Sequence, residues 1–148
     1  DAQVDQIVRY FQRNLTVIGM FGLDVNSEFH YPNYFSIIPT GGAHPKEALA
    51  EPFFDSAATM DPKPQPVALV GADAEFARNA VDGARIQAKR AGLKIVYDRS
   101  YPPSTQDYTP IVRAIQATSP DLVFVGARGE VTMSLQLDRA ERTFAVRL

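Results

Sequence analysis

Short apolar runs separated by segments of helical period give this chain its framework. Val67-Ala68-Leu69-Val70, Leu93 to Tyr97 (LKIVY) and Leu122-Val123-Phe124-Val125 show no polar alternation, the pattern of strands buried on both faces. Two helical segments lie between them, so Pro66 to Gly126 reads as strand, helix, strand, helix, strand. Strands joined by such crossovers run parallel. The expected fold class is therefore α/β, a parallel sheet with flanking helices of flavodoxin-like or Rossmann-like type. In open parallel sheets small ligands sit beyond the carboxyl ends of the strands. That rule singles out the loops after Val70, Tyr97 and Val125.

The first central helix spans Glu75 to Ala91. Phe76, Ala80, Val81, Ala84, Ala88 and Ala91 form one stripe at helical spacing, and Arg78, Asp82, Arg85 and Lys89 lie opposite as a solvated face. Asp73 is placed to cap its start, and Gly92 stands where a left-handed residue ends a helix. The second helix opens on Ser104-Thr105-Gln106-Asp107, similar to a capping box with Asp in the last position. Pro110 fits in its first turn, Ile111, Val112 and Ile115 face the sheet, and Ser119-Pro120 stops it.

Upstream, Asp1 to Arg13 carries a helical stripe of Val4, Ile7, Val8 and Phe11, and a buried strand follows from Thr16 to Phe21. The chain enters that helix without a capping or turn signal and has no basic segment followed by an apolar core, so it reads as a fragment with no visible signal peptide. Gly22 to Ser27 forms a loop at the strand's carboxyl end. Backbone amides there are positioned to hold a carboxylate or hydroxyl, and Asn26 or Ser27 can add a side-chain contact; an ordinary turn uses the same residues. Tyr34 to Ile38 is extended and breaks at Pro39-Thr40-Gly41-Gly42. A helix is expected from Pro45 to Thr59, with Ala48, Leu49, Phe53 and Ala57 or Ala58 inward, kinked or divided at Pro52. Met60 to Pro66 is an extended, proline-rich connector. After Gly126 the periodicity weakens: Val131 to Arg142 reads as a helix without a clean stripe, and Thr143 to Leu148 as the start of a strand.

Composition narrows the function. With 148 residues, 45% hydrophobic and 22% charged, the chain has the apolar content of a globular core. A net charge of −2 argues against nucleic acid as a partner. The absence of cysteine excludes disulfides, thiolate catalysis and Cys-based zinc sites. No apolar run reaches membrane-spanning length. Val70-Gly71-Ala72-Asp73 lacks GxGxxG, and no P-loop is present, so nucleotide phosphates have no cradle and no cofactor is expected. His30 and His44 stand in separate turn-like settings, without metal-ligand spacing. Ser27, Ser36, Ser56 and Ser104 lack G-x-S-x-G surroundings, so no catalytic residue is assigned. Asp73 and Glu75 follow the first central strand, where helix capping accounts for them and acidic metal ligands of a flavodoxin-like site are the alternative. Phe76 stands at the same junction, placed either for core packing or against the apolar side of a ligand.

Taken together, VIGMFGLDVNSEFHYPNYFSIIPTGG, PVALVGADAEFARNAVDGARIQAKRAGLKIVYDRSYPP and STQDYTPIVRAIQATSPDLVFVG resemble the periplasmic substrate-binding proteins of ABC importers. The fold is type I, in the leucine/isoleucine/valine-binding group, and the resemblance covers most of Asn14 to Gly126. It implies two α/β lobes closing over an amino acid or small organic acid, a membrane permease as partner, and a periplasmic location. It assigns residues 1–33 to the end of the first lobe, 34–44 to the hinge crossover, 45–126 to the second lobe and 127–148 to a divergent tail. The bilobed architecture would thus be incomplete. By the same resemblance, Gly22, Leu23, Asp24, Val25 and Asn26 hold the solute from the first lobe and Phe76 contacts it from the second. A further contact falls near Ala127 and Arg128, where the sequence departs from the family pattern. The same bilobed fold also serves as the effector-binding core of transcription regulators and receptors, and an enzyme of Rossmann-like type is the remaining alternative.

Overall fold

The computed structural model describes residues 16–19, 30–37 and 44–126, and the backbone of 144–145. The expected helix over Asp1 to Arg13, the loop Gly22 to Ser27 and the helix over Val131 to Arg142 lie outside the described residues.

Among the described residues two parallel sheets are formed. In the first, β1 (Val17–Gly19) pairs with β2 (Tyr34–Ser36). The second follows from α1 (Pro45–Ala48) and α2 (Glu51–Ala58), and contains β3 (Pro66–Ala72), α3 (Glu75–Arg90), β4 (Lys94–Tyr101), α4 (Thr109–Ala117), β5 (Leu122–Gly126) and β6 (Phe144–Ala145). Its strand order is β4-β3-β5-β6, all parallel. The central strand-helix-strand-helix-strand unit is therefore the one expected, and the short run near Leu148 pairs with β5 through Leu122↔Phe144.

Burial sorts the sheet into two faces, as alternation in a strand dictates. Val67, Leu69, Leu122 and Phe124 pack with Ala80, Ala84 and Ala88 of α3 and with Ala50, Phe53 and Phe54 of the preceding helical segment. Ala68, Val70, Val123 and Val125 pack on the other side with Val112 and Ile115 of α4. The alanines of α3 are the reason it lies close: a stripe without bulk lets the helix backbone approach the strands. β4 differs from the expected doubly buried strand. It lies at the sheet edge, mostly half-buried or exposed, and extends through Asp98, Arg99 and Ser100 because an edge tolerates charge.

Several local expectations change in the structure. Pro52 does divide the Pro45–Thr59 helix, occupying the first turn of α2, where its missing N–H costs nothing. Phe54 is buried with Phe53 and Ala57, whereas Ala58 is exposed. Ala74, not Asp73, is the N-cap of α3, and no side chain caps it. Asp73 instead accepts a hydrogen bond from Arg78 at 3.0 Å. Gly92 has φ +70°, as a left-handed terminator requires. Ala91 is exposed, while Asn79, Gly83 and Gln87 form a second buried stripe on α3. That stripe faces α1: the Gln87 amide donates to Glu47 Oε2 at 3.1 Å, and Arg90 pairs with the same oxygen at 2.9 Å. The first strand was expected to be buried, but Ile18 is 67% exposed; its register partner Phe35, and Ile37 two residues on, are also exposed. A two-stranded sheet has too little width to cover both of its faces.

The capping box at Ser104 to Asp107 does not form. The helix starts two residues later, with Tyr108 as N-cap, and Asp107 accepts a hydrogen bond from the Thr109 amide at 2.9 Å. That bond holds the Asp107 carboxyl below the ordinary aspartate range. A depressed folded pKa gives a contribution that is present above the ordinary value of about 4 and lost as pH falls below it. Asp107→Asn should therefore flatten the acid limb of a stability profile collected between roughly pH 5 and 2. An unchanged limb would mean the carboxylate is not held by its turn.

Candidate functional site

The direction of the chain through the second sheet defines one crevice. From β3 the chain crosses to β4 on one side, then returns past β3 to place β5 on the other. The helices that follow β3 and β4 consequently lie on opposite faces, while β3 and β5 stay paired as far as Gly71↔Gly126. This is the switch point where open α/β sheets bind ligands. The amino end of the sheet is knitted together by hydrogen bonds. There Lys94 N–H donates to Gln65 O (2.9 Å), Asp121 N–H to Pro66 O (2.9 Å), and Gln65 N–H to the Asp121 carboxylate (3.0 Å).

Two glycines shape the carboxyl end. Gly71 and Gly126 are register partners at the ends of β3 and β5. A Cβ on Gly126 would stand 2.9 Å from the Ala77 carbonyl oxygen, and one on Gly71 would stand 2.8 Å from a Val81 methyl. Their bare backbones let the first turns of α3 settle directly onto the strand ends. The helix thereby brings Glu75, Phe76 and Asn79 to that end of the sheet. Its amino terminus, with no side-chain cap, adds the positive end of the helix dipole.

Phe76 is partly buried in the first turn of α3. Glu75 Oε1 and Asn79 Nδ2, one turn apart, are buried without a hydrogen-bond partner among the described residues. Each such group costs about 1–3 kcal/mol while unsatisfied, so the first two turns of α3 hold unused polar capacity, one acceptor and one donor. Across the sheet, Tyr101 and Tyr108 meet edge to face, with centroids 5.5 Å apart. Gly22, Leu23, Asp24, Val25, Asn26 and Arg128 lie outside the described residues, so only Phe76 of the expected solute contacts can be placed. The residues that sequence reasoning passed over are Gly71, Gly126 and Asn79, and Glu75 was weighed only as a capping residue or metal ligand. The two glycines carried a signal: both apolar runs end in Val-Gly.

Among the described residues no group of His, Asp and Glu is disposed to hold a metal ion, and no helix is long and apolar enough to cross a membrane. Asp73 is engaged with Arg78 and Glu75 faces the helix corner. His44 stands at the start of α1, 3.8 Å from Glu47.

A parallel α/β sheet of order β4-β3-β5-β6, with helices on both faces, defines a doubly wound lobe. The sequence matches the periplasmic binding protein family over residues 2–139, and the chain belongs to that family. Solved structures share the fold. A leucine-, isoleucine-, valine-, threonine- and alanine-binding protein from Brucella ovis, in a closed conformation, superposes with a TM-score of 0.70 at 18% identity, over 97% of this chain and 38% of that one. A periplasmic binding protein from Burkholderia mallei gives 0.71 at 13% identity, covering 98% and 39%. A Rhodopseudomonas palustris ABC-transporter solute-binding protein, solved with p-hydroxybenzoic acid, gives 0.68 at 16% identity, covering 89% and 34%. The chain thus spans little more than a third of the length of these proteins.

Proposed function

We propose that this chain is part of the solute-binding component of an ABC-type importer. It acts in the periplasm without catalysing a reaction, and presents an amino acid or small organic acid to a membrane permease. The observation that carries the reading is the reversal of strand order at β3 and β5, with Gly71 and Gly126 letting the amino end of α3 settle at those strand ends. The family match and the solutes of the structural neighbours, amino acids and p-hydroxybenzoic acid, support the ligand class.

In this reading residues 1–33 close the first lobe, 34–44 cross the hinge, 45–126 build the second lobe and 127–148 form its divergent tail. Gly22, Leu23, Asp24, Val25 and Asn26 grip the solute from one side, Phe76 and Arg128 from the other. Only the closed arrangement satisfies both sets of contacts, so the solute stabilises closure through its differential affinity for that state. Partners supplied to Glu75 Oε1 and Asn79 Nδ2 on closure would add to that difference.

Phe76 offers the direct test. Calorimetric titration of the chain with leucine and with 4-hydroxybenzoate should give saturable binding of one of them. Phe76→Ala should weaken it roughly tenfold, the loss of one aromatic contact of about 1.5 kcal/mol. Undiminished affinity in the variant would remove Phe76 from the site. Binding of FMN or NAD alone would overturn the transport reading.

A further inference from the structure

Beside the strand-end crevice, a separate shallow pocket of about 150 Å³ opens between α3 and the edge strand β4. Gly71 and Val81 form its floor, and Arg78, Asp82, Arg85 and Ser100 its walls. It shares Gly71 and Ala72 with the strand-end site, but Phe76 and Gly126 do not line it, and its charged walls belong to α3 and β4 alone.

Its two helical arginines play different parts. Arg85 is held by two carboxylates: Nε and Nη2 hold the two oxygens of Asp98 at 2.6 and 2.8 Å, and Nη1 binds Asp82. The bond to Asp98 leads the interactions that raise its pKa, and the guanidinium serves as a fixed wall. Arg78 makes a single contact, Nη1 to Asp73 at 3.0 Å, and its side chain is 58% exposed. Its remaining N–H groups are therefore available. The Ser100 hydroxyl makes no hydrogen bond among the described residues, and Arg99 at the rim has no acidic partner among them. Arg78 and Arg85 are two helical turns apart, about 10 Å along the axis, with Asp82 between them. One small anion cannot span both.

We propose that this pocket binds a small carboxylate. The free edge of the Arg78 guanidinium takes the two oxygens in its planar fork, the geometry that favours Arg for carboxylates, and the Ser100 hydroxyl donates to one of them. The uncapped amino terminus of α3, about one turn before Arg78, adds a favourable dipole. Asp73 is the built-in competitor, since it occupies one donor and repels an incoming anion.

That competition gives the test its direction. The ¹⁵N-labelled chain is titrated with sodium acetate at constant ionic strength set by chloride, following the Arg78 Nε–H and the Gly71 and Ser100 amides. Saturable shifts are expected there and not at exposed Arg113 on α4. Arg78→Gln should weaken the response roughly tenfold, the equivalent of losing one charge-assisted pair. Asp73→Asn should tighten it severalfold, a gain that a misfolded variant cannot mimic. Shifts that do not saturate, that appear equally at Arg113, or that survive Arg78→Gln in a folded variant would overturn the proposal. A stronger response to inorganic phosphate than to acetate would overturn the carboxylate assignment. Gly71 and Ala72 border both sites, so the strand-end site is distinguished by shifts at Phe76 and Gly126, which lie outside this pocket and should not respond to acetate.

Discussion

Replacing Phe124 with alanine is expected to destabilise the chain by about 3–5 kcal/mol, the range for deleting a fully packed aromatic ring. Phe124 is 2% exposed on the central strand β5 and meets two rings of α2. Phe53 packs edge-on against it at 5.4 Å and 83°, and Phe54 stacks at 6.3 Å and 18°. Phe53 and Phe54 are themselves edge to face at 5.0 Å. Removing the middle ring leaves a cavity under both others, and two adjacent aromatics on one short helix cannot collapse into it without rotating that helix. Urea unfolding should report the loss, and the midpoint temperature should fall by roughly 10 °C or more. A cost under about 1 kcal/mol would mean α2 is not held to the sheet by this cluster.

Gly83→Val is the second large effect, expected to cost about 3 kcal/mol, near the upper end for overpacking. A Cβ at Gly83 would overlap the Lys46 carbonyl and lie 3.1 Å from Glu47 Cα. Both neighbours are backbone, so α1 has to move, drawing the Glu47 carboxylate away from Gln87 and Arg90. Even Gly83→Ala should destabilise, reversing the gain of about 1 kcal/mol that alanine normally brings to a helix interior. Gly92→Ala makes the contrast. Nothing lies within 4 Å of that added Cβ, so its cost is only the left-handed backbone at φ +70°, about 1–2 kcal/mol. Chemical denaturation of the three variants separates crowding from strain. A stabilised Gly83→Ala would contradict the close α1–α3 contact.

Much of this architecture could be read from the sequence where one physical cause acted alone. The runs VALV and LVFV are buried on both faces because α3 and α4 lie on opposite sides, so continuous apolar character marked them. Pro52, Pro110 and Gly92 fell where their backbone geometry allows. The misreadings come from places where tertiary contacts decide. Asn79, Gly83 and Gln87 are polar or featureless in sequence, yet α1 buries them, because helix α3 packs on two neighbours and not one. LKIVY looked doubly buried but became an edge strand, since hydrophobic pattern does not encode strand order. Asp73 had the chemistry of a cap and took Arg78 as partner instead. Phe76 was legible as a strand-end residue, and the structure sets it, partly buried, in the first turn of α3. The Gly71–Gly126 pair needed register, which only the folded sheet supplies.

The central claim, that a small solute is held where β3 and β5 end, is tested most directly by backbone amide shifts. The labelled chain would be titrated with leucine and with 4-hydroxybenzoate in turn. The account predicts saturable shifts for one of them, concentrated at Gly71, Ala72, Phe76 and Gly126. Shifts confined to Gln65, Lys94 and Asp121, at the opposite end of the same strands, would contradict it.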